Sequence, residues 1–254
     1  ASSYNNIGVV YDSLGKYKKA LEYYNKARKT TEKKMGIEHP YTASSYNNIG
    51  NVFKNLGVYD KALKYLNKAL KIKEKVLEKK HPDTASSYNN IGMVYESLGK
   101  YDKALEYLNK ALKIFEKELG KEHPYTASSY NNIGNVFKNL GVYDKALKYL
   151  NKALKIKEKV LEKKHPDTAS SYNNIGMVYE SLGKYDKALE YLNKALKIFE
   201  KELGKEHPST ALTYWNIAII YTNKEDNVQV KEYMLKAADA GNKKAKHWLK
   251  NFGM

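Results

Sequence analysis

The chain has 254 residues, 24 of them Tyr against 5 Phe and 2 Trp, with 5 Pro, no Cys and a formal net charge of +17. The missing cysteine excludes disulfide scaffolds, thiolate metal sites and cysteine nucleophiles, and favours a reducing, cytoplasmic setting. No apolar run reaches the roughly 18–20 residues needed to cross a bilayer, and the chain opens Ala1-Ser2-Ser3-Tyr4 without a basic-then-apolar leader, so it reads as soluble.

Self-similarity organises the rest. Ser-Ser-Tyr-Asn-Asn-Ile-Gly stands at Ser2 to Gly8 and returns from Ser44, Ser86, Ser128 and Ser170, with a degraded sixth copy from Leu212 to Ala218, at a period of 42 residues. Such a period marks a repeat array. The repeats span 1–42, 43–84, 85–126, 127–168, 169–210 and 211–240, and 241–254 follow as a separate piece. A longer period lies over this one: residues 44–127 and 128–211 match everywhere except at Tyr125 against Ser209. Drift erases such identity, so the duplication is recent or engineered.

Within the repeat 43–84, Ala43, Tyr46, Ile49, Gly50, Phe53 and Leu56 recur at three- and four-residue spacing, the pattern of a helix with one buried stripe. Gly57 can take the left-handed conformation that ends a helix. A second stripe runs through Tyr59, Ala62, Leu63, Leu66, Ala69, Leu70 and Val76 or Leu77, and is expected to end in Lys79-Lys80, whose charge suits the negative end of the helix dipole. His81-Pro82-Asp83-Thr84 then turns the chain, with Pro82 opening the next helix. Neither helix can bury its stripe alone, so the pairs must stack. In the third repeat Phe115 and Glu118 stand where the second has Lys73 and Val76, which suggests that the apolar group moves along one stripe, with Phe115 partly buried.

Val228 to Ala240 reads as the second helix of the sixth repeat, broken by Gly241-Asn242. Lys243 to Phe252 forms an extra helix with Ala245, Trp248, Leu249 and Phe252 on one face, expected to cap the last apolar surface. At the other end Tyr4, Ile7 and Tyr11 have no such cover, so self-association through the N-terminal end is expected.

The small-and-aromatic pattern Tyr46, Ile49, Gly50, Phe53, Ala62, Leu66 and Ala69 resembles the tetratricopeptide repeat. The 42-residue length, the Asn-Asn pair and the His-Pro-x-Thr-Ala joint resemble the kinesin light chain subclass, and the Lys-Ala-Ala-Asp-Ala-Gly-Asn segment is similar to Sel1-type repeats. The resemblance covers essentially the whole chain. It implies an all-α, right-handed superhelical solenoid of six helix-turn-helix repeats plus a capping helix, with a protein- or peptide-binding scaffold role and no cofactor. Fold alone does not choose a ligand.

Catalysis has little to work with. His39, His81, His123, His165 and His207 recur once per repeat, and helices packed about 8–10 Å apart cannot gather imidazoles around a metal that needs ligands near ~2 Å. No Gly-rich phosphate loop, nucleophile elbow or HExxH pair occurs, so neither an enzyme nor a metal site is expected. The tyrosines hold fixed repeat positions, as Tyr46, Tyr59, Tyr65 and Tyr95 do, and read as packing residues rather than base-stacking platforms. The basic excess is confined largely to certain repeats, at Lys71, Lys73, Lys75, Lys79 and Lys80 and their counterparts on the second helix, the convex side in the resembled family. Arg28 is the only arginine among 45 basic residues, whereas nucleic-acid recognition favours the guanidinium. Nucleic acid is therefore not the expected partner, although an electrostatic binder of nucleic acid or anionic membrane through convex lysines remains an alternative, as does a structural array without a ligand.

The resemblance places the exposed face of each first helix in a concave groove. Its residues are Asn5 and Asn6 in the first repeat, Asn47, Asn48, Asn51 and Lys54 in the second, and Asn89, Asn90, Met93 and Glu96 in the third. Asn131, Asn132, Asn135 and Lys138 follow in the fourth, Asn173, Asn174, Met177 and Glu180 in the fifth, and Asn216 in the sixth. A side-chain amide offers both donors and an acceptor to an extended backbone. The row resembles the asparagine ladder of some peptide-binding solenoids, so an extended or helical peptide segment is the expected partner. The competing role for these amides is hydrogen bonding between helices.

Overall fold

The computed structural model describes residues 2–161 and 163–251, and among them every regular element is helical. The helices come in pairs: α1 (Ser2–Ser13) with α2 (Tyr17–Met35), α3 (Pro40–Asn55) with α4 (Tyr59–Val76), and α5 (Pro82–Ser97) with α6 (Tyr101–Glu118). Then come α7 (Pro124–Asn139) with α8 (Tyr143–Val160), α9 (Pro166–Ser181) with α10 (Tyr185–Glu202), and α11 (Pro208–Asn223) with α12 (Asn227–Asp239), followed by α13 (Lys243–Asn251). The all-α expectation holds. Phe252, assigned to the apolar face of the last helix, lies outside the described residues.

Each joint is built by a small set of residues. His81 is extended at ψ 139° and its Nδ1 accepts the Asp83 N–H at 3.1 Å, which satisfies one of the unpaired donors of the first turn of α5. Pro82 follows, where a missing N–H costs nothing. The same cap recurs at His39, His123, His165 and His207. Thr84 Oγ1 donates to the Glu78 carbonyl at 3.0 Å and closes the turn. Within the repeat, Gly57 takes φ 73°, while the Gly57 and Val58 N–H groups return to Lys54 and Phe53 carbonyls, both at 2.9 Å. That two-bond closure needs a left-handed residue and explains the glycine.

The second helix stops earlier than the sequence suggests. α4 ends at Val76, the Leu77 N–H bonds to Lys73 O at 2.8 Å, and Glu78 adopts φ 70° where other joints place Gly36, Gly120 and Gly204. Lys79 and Lys80 thus lie in the turn, not in the last helical turn.

Two compact units divide the chain between Asn132 and Ile133, inside α7. In the first, Ala62, Leu66 and Leu70 of α4 meet Ile91 and Val94 of α5, with Tyr59, Tyr88 and Tyr107 around them. Gly50 lets α3 approach α4: a Cβ there would sit 2.7 Å from Leu66 Cγ. Full burial of a side chain such as Leu66 is worth about 1.5–3 kcal/mol. In the second unit Ala146, Leu150 and Leu154 repeat this packing against Ile175 and Val178, and α13 lays Ala245 and Leu249 onto a cluster that includes Ile217, Ile220 and Met234.

Aromatic positions interlock as the tyrosine pattern implies. The Tyr65 ring lies between Tyr46 and Phe53, with centroids at 6.0 and 5.6 Å, and Lys68 Nζ stands 5.4 Å from the Tyr46 centroid. From one repeat to the next, Tyr46 Oη donates to Glu32 Oε1 at 2.7 Å, and Tyr88, Tyr130, Tyr172 and Tyr214 donate likewise to Glu74, Glu116, Glu158 and Glu200.

The expectation for Lys73 is overturned. It does not lie on an open convex face: it is buried, as is Lys157, and each Nζ donates to a backbone carbonyl of the next helix, Asp83 O at 3.0 Å and Asp167 O at 3.1 Å. Phe115 at the equivalent position is buried against Tyr125, while Val76 is exposed. The buried slot has stayed in place and its occupant has changed, because a lysine stem is long enough to carry its ammonium to a carbonyl at the edge.

Candidate functional site

The amide-rich face is carried by the first helix of each repeat, and its amides are tied together. In the first unit Asn48 Nδ2 donates to Asn5 Oδ1 at 2.8 Å, Asn90 Nδ2 to Asn47 Oδ1 at 2.9 Å, and Asn132 Nδ2 to Asn89 Oδ1 at 3.1 Å. In the second unit Asn216 Nδ2 donates to Asn173 Oδ1 at 3.1 Å. Each bond joins the sixth residue of one repeat to the fifth of the repeat before. It uses one donor of the first amide and one acceptor site of the second, and an amide has further capacity on both atoms. Asn5, Asn47, Asn48, Asn89, Asn90, Asn131, Asn132, Asn173 and Asn174 are half-buried, Asn6 is exposed, and Asn216 is buried.

A second row of bonds lies two helical turns on. Asn55 Nδ2 reaches Asp12 Oδ1 at 3.5 Å, and in the second unit Asn223 Nδ2 reaches Glu180 Oε1 at 3.3 Å. Lys54 is half-buried between Asp12 and Glu96. Desolvation holds its ammonium below the usual lysine range, while both carboxylates pull the other way. Burial also pushes the Asp12 carboxyl up, against the opposing effects of Asn55 and Lys54. This face therefore alternates in charge along a row of equivalent positions. Lys138 is half-buried at the same repeat position.

Two repeat positions, the ninth of the middle repeats and the fifth of the last, behave differently from their neighbours. The side-chain oxygens of Asn51 and Asn135 are covered and have no hydrogen-bond partner among the described residues. Met93 Sδ lies 3.7 Å from Asn89 Nδ2, and Met177 packs against the C-terminal cluster. Trp215 holds the fifth position of the last repeat, where the earlier repeats have Asn, and also packs on that cluster. The Tyr–Glu bonds and the slot of Lys73 were not legible from spacing alone, although a Glu fourteen residues before each of these tyrosines is a signal that pairwise comparison of repeats would have caught.

Among the described residues no group of three or more His, Asp or Glu side chains could hold a metal ion, and no helix is long and apolar enough to cross a membrane.

The family model of the tetratricopeptide repeat matches residues 1–75, 41–117, 83–159, 125–201 and 167–240. No curated protein matches the chain. Among solved structures it is similar to BtubC (BKLC) from P. vanneervenii, at 23% identity over 85% of this chain and 86% of that one, with a TM-score of 0.68. It is similar also to a putative kinesin light chain of Podosopora anserina with nearly identical repeats, at 24% identity over 79% of this chain and 95% of that one, TM-score 0.61. A Rap protein complexed with Competence and Sporulation Factor shares 18% identity over 96% of this chain and 75% of that one, TM-score 0.69. Overlapping family matches along the chain and the paired helices agree: the chain belongs to the tetratricopeptide repeat family and has its solenoid fold.

Proposed function

We propose that the chain is a non-catalytic scaffold that holds an extended peptide segment on the amide face of its first helices. The observation that carries this reading is the linked row of asparagines: Asn5 and Asn47 accept through Oδ1 and keep N–H donors, while Asn48, Asn90 and Asn132 donate through Nδ2 and keep acceptor capacity, at a fixed spacing along the face. A peptide backbone presents the complementary groups. The alternating charge of Asp12, Lys54 and Glu96 gives such a segment a polar track without a strong net field. The fold is typical of protein-interaction scaffolds, and the similar Rap structure holds Competence and Sporulation Factor, which supports a binding role.

The experiment is binding to peptides selected from a random extended library. Replacing Asn48, Asn90, Asn132 and Asn174 by Ala removes four sixth-position amides, each worth about 0.5–1.5 kcal/mol to the complex, so affinity is expected to fall by orders of magnitude. Those residues also bond their neighbours, so a second variant separates the roles. Asn47, Asn89, Asn131 and Asn173 changed to Asp keep a side-chain acceptor for the inter-repeat bonds and lose the outward N–H groups. A folded Asp variant that binds as well as the parent would remove peptide capture by this row.

A second reading concerns self-association. Tyr4, Ile7, Val9 and Val10 are exposed on α1, and light scattering that shows a strict monomer at millimolar concentration would dismiss association through that face.

A further inference from the structure

At the joint between the first and second repeats, the turn after α2 carries Ile37 and Glu38, and Lys75 Nζ of α4 reaches Glu38 Oε2 at 2.5 Å. One repeat later Lys79 and Lys80 hold those two positions, and the lysine equivalent to Lys75 is Lys117 of α6. A base has replaced the acid while its former partner stays basic. At that place the structure has a cleft of about 480 Å³ lined by Lys79, Lys80, Lys113 and Lys117, over Tyr88 and Ile114. Lys110 also lines it but is paired with Glu106 at 2.7 Å, and Glu118 contributes one carboxylate, 4.0 Å from Lys117 Nζ. The Tyr88 hydroxyl is committed to Glu74. Among the described residues Lys79, Lys80 and Lys113 have no ion-pair partner, and the carboxylates nearby are already engaged, Glu106 by Lys110, Glu74 by Tyr88 and Glu118 beside Lys117.

We propose that this cleft binds a linked-phosphate anion. The lysines are exposed, so their mutual repulsion is screened by solvent, and a multiply charged anion seated among them turns that repulsion into attraction. Ammonium groups recognise phosphate as point charges and need no bidentate geometry. Lys113 and Lys117 lie about 6 Å apart along the helix axis at 1.5 Å per residue, and the turn lysines face them, so a chain of phosphates can meet both sets where one phosphate meets only part. The long duplication repeats every lysine of the cleft as Lys163, Lys164, Lys194, Lys197 and Lys201. Two such sites per chain are therefore expected.

The probe is inorganic tripolyphosphate, titrated calorimetrically at fixed ionic strength. The parent chain is expected to bind two per chain, Lys80→Glu one, and Lys80→Glu/Lys164→Glu to lose at least tenfold in affinity, because glutamate restores the arrangement of Glu38 and Lys75. A control pair, Lys18→Glu/Lys231→Glu, makes the same change in net charge away from the cleft and should bind as the parent does. ATP tests the source of the phosphates: affinity equal to tripolyphosphate supports free polyphosphate, and tighter binding supports a nucleotide with the same phosphate contacts. Absence of tripolyphosphate binding at millimolar concentration overturns the proposal. So does unchanged binding by the double variant, or an equal loss in the control pair. If either glutamate variant fails to fold, Lys117→Gln with Lys201→Gln provides the same test.

Discussion

α1 and α3 carry the same Ser-Ser-Tyr-Asn-Asn-Ile-Gly segment and have different surroundings. Tyr4, Ile7 and Val10 on α1 are 41%, 38% and 57% exposed, whereas the equivalent Tyr46, Ile49 and Val52 on α3 are 6%, 0% and 0% exposed. The difference is α2, which brings Ala20 and Tyr24 against Ile49 and Val52. A repeated sequence thus does not give repeated stability. The stabilising term lies in the contact with the preceding repeat, as expected where each unit buries its stripe only against a neighbour.

Position-matched substitutions measure that contact directly. Ile49→Ala removes a fully buried side chain and leaves a cavity, and is expected to cost about 2–5 kcal/mol. Ile7→Ala, the same change at the same repeat position, should cost less than about 1 kcal/mol, since Ile7 already meets solvent. Urea denaturation of the two variants reads the difference. Equal losses would mean that the helix pair, not the joint between repeats, carries the stability.

A smaller difference separates Tyr88 from Tyr4. Tyr88 donates to the Glu74 carboxylate of the preceding repeat, and burial with that bond pushes its phenol up from the ordinary value. Tyr88→Phe should cost about 1.5–3 kcal/mol, the range for hydrogen bonds to charged groups. Tyr4 is exposed and packs beside Tyr23 at 6.3 Å, so Tyr4→Phe should stay within about 0.5 kcal/mol. Thermal melts of the two proteins check this, and a neutral Tyr88→Phe would show the bond to be exchanged freely with water.

The same comparison shows why some features were legible and others not. Helix stripes, the left-handed Gly57 and the His-Pro joint follow from local rules, since periodicity, backbone sterics and the missing proline N–H act within a few residues. The early end of α4 has no local sign in the sequence, because Glu78 takes a conformation usually given to glycine. Composition alone classes Lys73 as a surface charge. Its burial depends on a carbonyl ten residues ahead, across the joint. For the amide face, residue type marked the row of asparagines, yet the pairing of Asn48 with Asn5 and of Asn90 with Asn47 emerges only when neighbouring repeats are set side by side.

The smallest effect concerns the position that separates successive repeats most sharply. Thr31, Lys73 and Phe115 occupy one buried slot in the first three repeats, and all three are nearly inaccessible. Thr31 satisfies its hydroxyl on its own helix by donating to Arg28 O at 2.8 Å, and Phe115 has nothing to satisfy. Lys73 must keep an ammonium beside Asp83 O, and desolvation lowers its pKa, with Asp83 pulling the other way. Below the folded value both states hold the proton. Between that value and the unfolded one, near ~10.4, the unfolded chain binds more protons, so stability rises with pH. Tyrosine acts oppositely at higher pH: Tyr24, pushed up to about 12, loses stability for the chain once unfolded phenols ionise above ~10. The useful window therefore closes near ~pH 10. Lys73→Met with Lys157→Met keeps the stem and removes the titration. The variant should be more stable at neutral pH by about 1 kcal/mol, within the range for replacing buried charge by apolar volume, and its advantage should shrink as pH rises towards 10. An advantage that stays constant over that range would show that the ammonium in this slot is as well solvated as it is in the unfolded chain.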